Sequence, residues 1–277
     1  MSIPGIAYAA FNFTTIDVLG ATSTEANGNS TKQIVGDYDD VDGNTHGFRL
    51  SNEKKRFNKI DVPNATSTQL NGVNEKDQIT GTYNDGSRLH AFFLNKRVIT
   101  TLDPPGSSES QSGFVNNKGD VVGGYRDVNR IRHAFFWSNG IFTTIDPPNG
   151  NPTLGPVAFG VNDRGQVVGT FVDVDGNRHG FLLSKGIYTK LDVPDADFTV
   201  AEGINNEGQI VGIFFDTEGN EHGFFLNKKG VYETIDVPDS TATAVLSINA
   251  KGEIVGFYND VEGITHGYVG KPTHMDE

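Results

Sequence analysis

The sequence repeats one unit of roughly 44 residues six times, and this repetition limits the possible folds more than any other feature. The clearest copy runs from Gly203 to Asp239 and reads GINNEGQIVGIFFDTEGNEHGFFLNKKGVYETIDVPD. In it, QIVGIFF, HGFFL and YETIDV have the composition of short strands, and Asn-Glu-Gly and Glu-Gly-Asn are turn signals. A fourth strand precedes the asparagine, as in TATAVLSI at 241–248. Since no segment shows a sustained helical period, each unit is predicted to form four antiparallel strands.

Five residue types recur once per unit in a fixed order. The asparagines that follow the first strand are Asn29, Asn74, Asn116, Asn162, Asn205 and Asn249. The glycines of the second strand are Gly36, Gly81, Gly123, Gly169, Gly212 and Gly256. The aspartates two residues after an aromatic position are Asp40, Asp85, Asp127, Asp173, Asp216 and Asp260. The histidines are His46, His90, His133, His179, His222 and His266, and the closing aspartates are Asp17, Asp61, Asp103, Asp146, Asp192 and Asp236.

Four antiparallel strands in a unit of this length make one blade of a β-propeller, and six units predict six blades. We name the strands a to d in chain order within each blade. The chain opens on a lone strand d, FNFTTIDV, and its last repeat stops after strand c, so the first strand is predicted to complete the last blade. The prediction is an all-β, six-bladed propeller with one domain over 1–277. Its repeats lie approximately at 19–61, 62–103, 104–146, 147–192, 193–236 and 237–270, with a closing strand at 11–18.

The same residues carry a resemblance to a known family. The triplets His90-Ala91-Phe92 and His133-Ala134-Phe135 match the His-Ala-Phe signature of the HAF-repeat proteins. His-Gly-Phe stands in three other blades, and the last blade has His-Gly-Tyr at 266–268. The resemblance covers nearly the whole chain and implies the fold, not an activity. The family is mostly secreted, whereas this sequence begins without a secretion signal.

The composition excludes several classes of partner and site. A net charge of −13 repels nucleic acid and anionic membrane surfaces, and no apolar stretch is long enough to span a bilayer. The sequence has no cysteine, so disulfides and thiolate metal sites are excluded. The first ten residues lack the basic region of a signal peptide, which favours the cytoplasm. Secretion after removal of a signal remains the alternative.

No metal or organic cofactor is expected. The histidines are spread one per blade, whereas metal ligands must converge within about 2.1 Å of a single ion. Each histidine is expected to bond a nearby aspartate instead. Turns such as Asp40-Val41-Asp42-Gly43-Asn44 resemble part of a calcium loop but lack its terminal acid, and a hairpin turn explains them. Motifs for a nucleophile elbow, a phosphate loop or a dinucleotide are missing.

The copies differ where strand a faces the propeller axis. The residues three before each asparagine are Ala26, Asn71, Gly113, Phe159, Glu202 and Leu246. The residues two further back are Thr24, Gln69, Gln111, Val157, Val200 and Ala244. A purely structural role would favour one residue type at each place. The mixture of amides, a carboxylate and apolar groups instead predicts an amphipathic pocket, with random drift in a water-filled channel as the alternative.

Arginines distinguish the loops of two adjacent blades. Arg88 lies in the shortened b–c turn of blade 2, and Arg126, Arg130 and Arg132 lie around the b–c turn of blade 3. The d–a connection into blade 4 is also the longest, at 147–156. Strand direction brings these loops to one end of the propeller, where a positive patch could hold ligand oxygens. A solvated rim is the alternative.

Two functions are compatible with these features. The first is binding of a small organic ligand at the loop-bearing mouth of the channel, with catalysis of a cyclisation or cycloaddition without a cofactor. Its catalytic candidates are Arg126, Arg130 and Glu202, and its ligand-binding candidates are Gln69, Asn71, Arg88, Gln111, Phe159 and Leu246. In size and in having no cofactor the chain is similar to hetero-Diels–Alder enzymes of fungal tropolone–sesquiterpenoid pathways, although no catalytic motif matches. The second function is a non-catalytic glycan- or protein-binding module.

Overall fold

The computed structural model describes residues 7–8, 10–151 and 153–273, and it arranges them as six sheets. Every sheet has four antiparallel strands, and one of the six gains a short fifth strand at its edge. Each sheet is one sequence repeat, with strands a to d paired in order. The all-β, six-bladed propeller predicted from the repeats is therefore confirmed. None of the described residues forms a helix of the length and hydrophobicity that crossing a bilayer requires.

The strand boundaries follow the repeats closely. The a strands are Ser23–Asn29, Ser67–Val73, Ser107–Val115, Val157–Val161, Phe198–Ile204 and Ala242–Ile248. The b strands are Gln33–Asp39, Ile79–Asn84, Val121–Asp127, Val167–Val172, Ile210–Phe215 and Ile254–Asn259. The c strands are Thr45–Ser51, Leu89–Asn95, Arg132–Ser138, Arg178–Ser184, Glu221–Leu226 and Thr265–Pro272. The d strands are Phe57–Lys59, Val98–Thr101, Ile141–Thr144, Ile187–Leu191, Tyr232–Ile235 and, for blade 6, Phe11–Ile16.

The ring closes through the strand that opens the chain. Phe11–Ile16 pairs antiparallel with Thr265–Pro272, in a register that joins Phe11 to Pro272 and Ile16 to Gly267. This confirms the predicted end-to-end pairing. The short strand Ala7–Tyr8 was not predicted. It pairs in parallel with strand d of blade 5 and so links two neighbouring blades at the outer edge.

Strand b has glycine at the repeated position because an aromatic ring of strand c packs directly against its backbone. A Cβ atom at Gly81 would meet the backbone oxygen of Gln69 on strand a and the ring of Phe92 on strand c. Phe92 is fully buried, and the same pair recurs as Gly212 with Phe224. Close packing of ring on backbone inside each blade therefore excludes any larger residue at this position.

The repeated histidine lies between two aspartates, where the sequence predicted a bond to one. In blade 2, His90 Nδ1 is 2.8 Å from Asp103 Oδ2 and His90 Nε2 is 3.1 Å from Asp85 Oδ2. In blade 4, the hydrogen bonds from His179 and from the turn of Asp173 lower the pKa of that aspartate to about 2. The histidine thus joins the b–c turn to the end of strand d in five blades. In blade 3, His133 bonds Asp146 but its Nε2 is 3.9 Å from Asp127 Oδ2.

The repeated asparagine links neighbouring blades around the axis. Asn162 Oδ1 accepts hydrogen bonds from the backbone N–H groups of Arg164 and Gln166 and so shapes its own turn. Its Nδ2 donates to Gln166 Oε1 at 2.8 Å and to the backbone oxygen of Asn205 in the next blade at 3.1 Å. The side chain is buried with both of its polar atoms bonded. The bonds from one blade to the next form what we call the asparagine belt, with donors Asn74, Asn116, Asn162, Asn205 and Asn249.

Asn29 is not the sixth member of this belt, which corrects the sequence alignment. The a–b turn of blade 1 is one residue shorter, because Ser30 N donates to Gln33 O where Asn74 N donates to Gln78 O. Ser30 therefore occupies the belt position and accepts the bond from Asn249 through its backbone oxygen. Blades 1 and 2 are joined instead by Thr31, whose N–H and hydroxyl each donate to the carboxylate of Glu75 at 2.7 Å.

The closing strand is expected to be essential to stability. Deleting residues 1–18 removes buried Ile16 and the ring of Phe13, which packs edge-on against Tyr268 at 5.5 Å. We expect a loss of about 4 kcal/mol or more, seen as a fall in melting temperature of about 10 °C or more. Deletion of residues 1–6, which keeps both pairing segments, is the control. An unchanged melting temperature and monomeric behaviour for the longer deletion would contradict the closure argument.

The asparagine belt is expected to need an amide. Asn162→Asp keeps the two acceptor contacts but loses both donated bonds and brings a carboxylate close to carbonyl oxygens. We expect it to lower the free energy of unfolding by about 2–4 kcal/mol, measured by urea denaturation. Asn58→Asp, on an exposed position of strand d in blade 1, should cost less than about 0.5 kcal/mol. Equal effects of the two changes would show that the belt contributes little.

Candidate functional site in the propeller channel

A β-bulge in every strand a aims one residue at the propeller axis. The register with strand b shifts near the end of strand a in each blade, between Leu70 and Gly72 in blade 2 and between Ala201 and Gly203 in blade 5, for example. Strand a of blade 3 has a further shift near its start, between Ser107 and Glu109. The extra residue at a bulge leaves the ladder of paired residues. Because strand a has no neighbour on its inner edge, this residue borders the channel. The six bulge residues are Asn27, Asn71, Gly113, Phe159, Glu202 and Leu246.

Blade 1 again differs from the sequence alignment by one residue. Ala26 and Thr24 were expected to face the channel, but both are buried within the blade. Asn27 is the bulge residue, and Glu25 takes the place of Gln69 in the pairing with strand b. The shortened turn after Asn29 is the cause, because counting back from that asparagine starts one residue too early. A carboxylate, that of Glu25, at the register position of Gln69 was thereby missed.

Five of the six predicted ligand-binding residues and the catalytic candidate Glu202 border one cavity of about 210 Å³. Their side chains come from five blades, which supports the interpretation of an amphipathic lining. The cavity is bordered by the predicted residues Gln69, Asn71, Gln111, Phe159, Glu202 and Leu246. Asn27, Thr82, Val157 and Phe114 also border it.

Phe114 forms the boundary of this cavity and was not identified from the sequence. It lines both the 210 Å³ cavity and a second cavity of about 90 Å³ at the asparagine belt. The other blades have glycine or serine at its place: Gly28, Gly72, Gly160, Gly203 and Ser247. One phenylalanine among small residues is the signal that could have revealed it. Its ring narrows the channel between the two cavities.

Carboxyl groups on blades 1 and 5 have pKa values above those of ordinary carboxyl groups. Burial, assisted by the charge of Glu221, raises the pKa of Glu202 to about 8, although its side chain as a whole is half-buried because it borders the cavity. Burial and the charge of Glu25 raise the pKa of Asp37 to about 7. The amides of Asn27 and Gln69 donate to Asp37, at 2.6 Å and 3.5 Å. Glu202 is therefore largely protonated at neutral pH.

Two arginines of blade 3, Arg126 and Arg132, lie beside the channel cavity. Arg126 Nε donates to Glu109 Oε1 at 2.8 Å, and its Nη1 donates to the backbone oxygen of Arg130. Arg126 and Arg132 border a small crevice that shares Gln111 with the main cavity. Burial, followed by the charge of Arg126, lowers the pKa of Arg132. Glu109 therefore offsets the charge of Arg126 beside the cavity.

The structure does not gather all four predicted arginines. Arg88 Nη2 donates to Asp103 Oδ2 at 2.8 Å and its Nη1 to Ser107 O at 3.0 Å, so it fixes the loop that leads into blade 3. Arg88 does not border the channel cavity. Arg130 is exposed at the tip of its turn with a φ of 65°, and it too lies outside the cavity lining. Both were placed in the site because the sequence shows which loop a residue belongs to but not where its side chain points.

Within the part of the chain that the structure describes, no group of three or more histidine, cysteine, aspartate or glutamate residues could hold a metal ion. The chemistry available in the cavity is that of amides, one carboxyl group with a raised pKa and aromatic or aliphatic walls.

Neither a family model nor a curated protein matches this sequence. The resemblances to the HAF-repeat proteins and to hetero-Diels–Alder enzymes consequently have no support beyond the residues given above.

Solved structures match the fold. TolB from Acinetobacter baumannii is 9% identical with a TM-score of 0.62, over 89% of this chain and 65% of that one. The β-propeller domain of the trilobed protease from Pyrococcus furiosus is 12% identical with a TM-score of 0.57, over 96% and 91%. The Aleuria aurantia lectin is 12% identical with a TM-score of 0.54, over 95% and 99%. At these identities the likeness establishes the propeller fold alone.

The raised pKa values predict a pH dependence of stability. A carboxyl group whose pKa is higher in the folded than in the unfolded state favours folding when protonated, so stability falls as pH rises from about 4.5 towards 8. We expect Glu202→Gln to match the wild type at pH 5 and to melt about 2–5 °C higher at pH 9. Glu262→Gln, on the exposed b–c turn of blade 6, is the control and should change neither value. A difference for Glu202→Gln that is the same at both pH values would contradict the assignment.

Proposed function

We propose that this propeller binds one small, oxygen-bearing organic molecule in the 210 Å³ channel cavity, with protonated Glu202 as a hydrogen-bond donor. The observation that carries the proposal is the position of that carboxyl group. It borders a cavity with amide and apolar walls, and its pKa is raised to about 8. A carboxylic acid kept neutral at pH 7 can donate a hydrogen bond to a carbonyl or ether oxygen.

The two kinds of wall would orient such a ligand. Gln69 and Gln111 offer amide groups on blades 2 and 3, while Phe159, Val157 and Leu246 offer apolar surface on blades 4 and 6. A ligand with oxygens on one edge and a hydrocarbon skeleton on the other fits this division. The volume lies below the roughly 300 Å³ at which drug-sized pockets begin, which favours a ligand of one or two rings.

Catalysis without a cofactor is the finer form of this proposal. In a cyclisation or hetero-Diels–Alder cycloaddition the new bonds form from π electrons of the substrate, so no atom is added and no redox partner is needed. A hydrogen bond from Glu202 to a carbonyl oxygen would stabilise the charge that develops there, and the walls would hold the reacting ends together. Arg126 and Arg130 are weaker catalytic candidates, because Arg126 is paired with Glu109 and Arg130 is exposed.

A glycan-binding module is the second candidate. The Aleuria aurantia lectin, one of the structures with this fold, is in complex with α-methyl-L-fucoside. In the present chain, the amides of Gln69, Asn71 and Gln111 beside Phe159 would suit sugar hydroxyls against an aromatic face. A sugar would be bound without conversion, whereas a substrate of the first function would be consumed. Mass spectrometry of the recovered ligand separates the two.

Binding in the cavity should depend on pH through Glu202. In ligand-observed NMR with neutral cyclic enones, lactones and methyl glycosides, we expect at least one enone or lactone to bind at pH 6 and to bind about two- to tenfold more weakly at pH 9.5. Glu202→Gln should remove this pH difference because its amide donates at both pH values. Phe159→Ala should weaken binding at both, and Glu262→Gln should change nothing. Binding of glycosides alone would favour the lectin function, and no binding by any probe would contradict the proposal.

A further inference from the structure

A third cavity, of about 430 Å³, lies between the closing strand of blade 6 and the outer part of blade 1. Its size falls in the range of small-molecule sites, which begins at roughly 300 Å³. It shares no lining residue with the channel cavity.

The chain creates this cavity by shortening one strand. Strand d of blade 1 has only three residues, Phe57–Lys59, and the connection before it spans residues 52–56. The corresponding c–d connections of blades 2, 3 and 4 have two residues each, at 96–97, 139–140 and 185–186, whereas that of blade 5, at 227–231, is as long as that of blade 1. The strand d that follows it is one residue longer in blade 5, Tyr232–Ile235. The short strand d leaves part of the flank of blade 1 uncovered next to Phe11–Ile16.

The floor of the cavity is apolar. Ile16, Ile34 and Leu50 border it, and each is less than 9% exposed. Phe57 and Val269 pack against the same cluster. Such a floor would receive a hydrocarbon chain or an aromatic ring and gain free energy from removing apolar surface from water.

Three lysines and two acidic residues, Asp17 and Glu253, border the cavity, so its lining has an excess of positive charge although the chain carries a net charge of −13. Asp17 faces His266, with its carboxylate oxygens 3.1 Å from His266 Nδ1. Lys55 on the c–d turn of blade 1, Lys251 on the a–b turn of blade 6 and Lys271 at the end of the last strand all border it. Lys271 Nζ is 3.8 Å from Glu253 Oε1, the carboxylate that also accepts from Asn249. Among the described residues, no carboxylate lies within 4.0 Å of the ammonium group of Lys55 or Lys251. Three ammonium groups from three separate elements above an apolar floor are complementary to an amphipathic anion.

We propose that this lateral cavity binds a small amphipathic anion, such as an aryl or medium-chain alkyl carboxylate. The hydrocarbon part would lie on Ile34 and Leu50, and the carboxylate would face the three lysines. The hydroxyl groups of Thr14 and Thr31 border the same space, and the Thr31 hydroxyl is already bonded to Glu75. The site is independent of the function proposed for the channel.

The test uses 2-naphthoate as the probe and 2-naphthalenemethanol as its neutral counterpart, with the full-length protein and isothermal titration calorimetry at low salt. We expect the naphthoate to bind at least about fivefold more tightly than the alcohol and to weaken as salt is raised. Lys251→Gln and Lys271→Gln should each weaken naphthoate binding about three- to tenfold. Lys118→Gln is the matched control, because Lys118 holds the same place in the a–b turn of blade 3 and is equally exposed.

A blocking variant separates the lateral cavity from other sites. Thr14 is exposed on the closing strand and borders the cavity, so Thr14→Trp should fill the space, leave the melting temperature within a few degrees and abolish naphthoate binding. Phe159→Ala, in the channel, should leave it unchanged. The proposal is overturned if naphthoate does not bind at about 5 mM, if Lys118→Gln weakens it as much as Lys251→Gln, or if Phe159→Ala removes it while Thr14→Trp does not.

Discussion

The hydrogen bond from one asparagine side chain to the backbone of the next blade is the interaction on which this ring depends. A blade alone leaves an open inner edge on strand a, and the asparagine belt fixes that edge against its neighbours with bonds such as Asn116 Nδ2 to Asn162 O at 3.1 Å. The same side chain folds its own turn, so blade shape and blade placement are coupled in one residue. Only asparagine has an acceptor and two donors at this short reach, which explains why it recurs while its surroundings vary.

The repeats made the fold predictable because few other residue types could replace the recurring asparagine, glycine, histidine and aspartates that hold each blade together. The recurrence of Gly81 and His90 marked both as scaffold residues and indicated a bond from the histidine to an aspartate, whereas the structure shows Phe92 over Gly81 and a second aspartate beside His90. The sequence alignment was wrong by one residue in blade 1, because an asparagine, Asn29, stands just before the belt position, which Ser30 occupies. That single residue hid Glu25 and Asn27, which only the strand register reveals.

The candidate site was predictable in position but not in its electrostatics. Counting back from the belt located Phe159, Glu202 and Leu246 on the channel, since a strand has a fixed period. Neighbouring charged side chains that do not recur in every repeat could not be predicted by counting along the strand. The charge of Glu221, which helps to raise the pKa of Glu202, comes from strand c, and the pairing of Arg88 with Asp103 depends on a side-chain direction that no pattern specifies.

Because of the bulges in the a strands, the residues that border the channel are not the residues that hold each sheet together. Phe159, Glu202 and Leu246 border the channel without taking part in the residue pairing of their sheets. A change of side chain there alters the chemistry of the cavity and leaves the ladder as it was. Six such places, one per blade and all converging on one axis, make the scaffold a natural host for combinatorial variation. Evolution or a designer could change the lining one blade at a time, because the bulge residue of each blade can be substituted independently of the others.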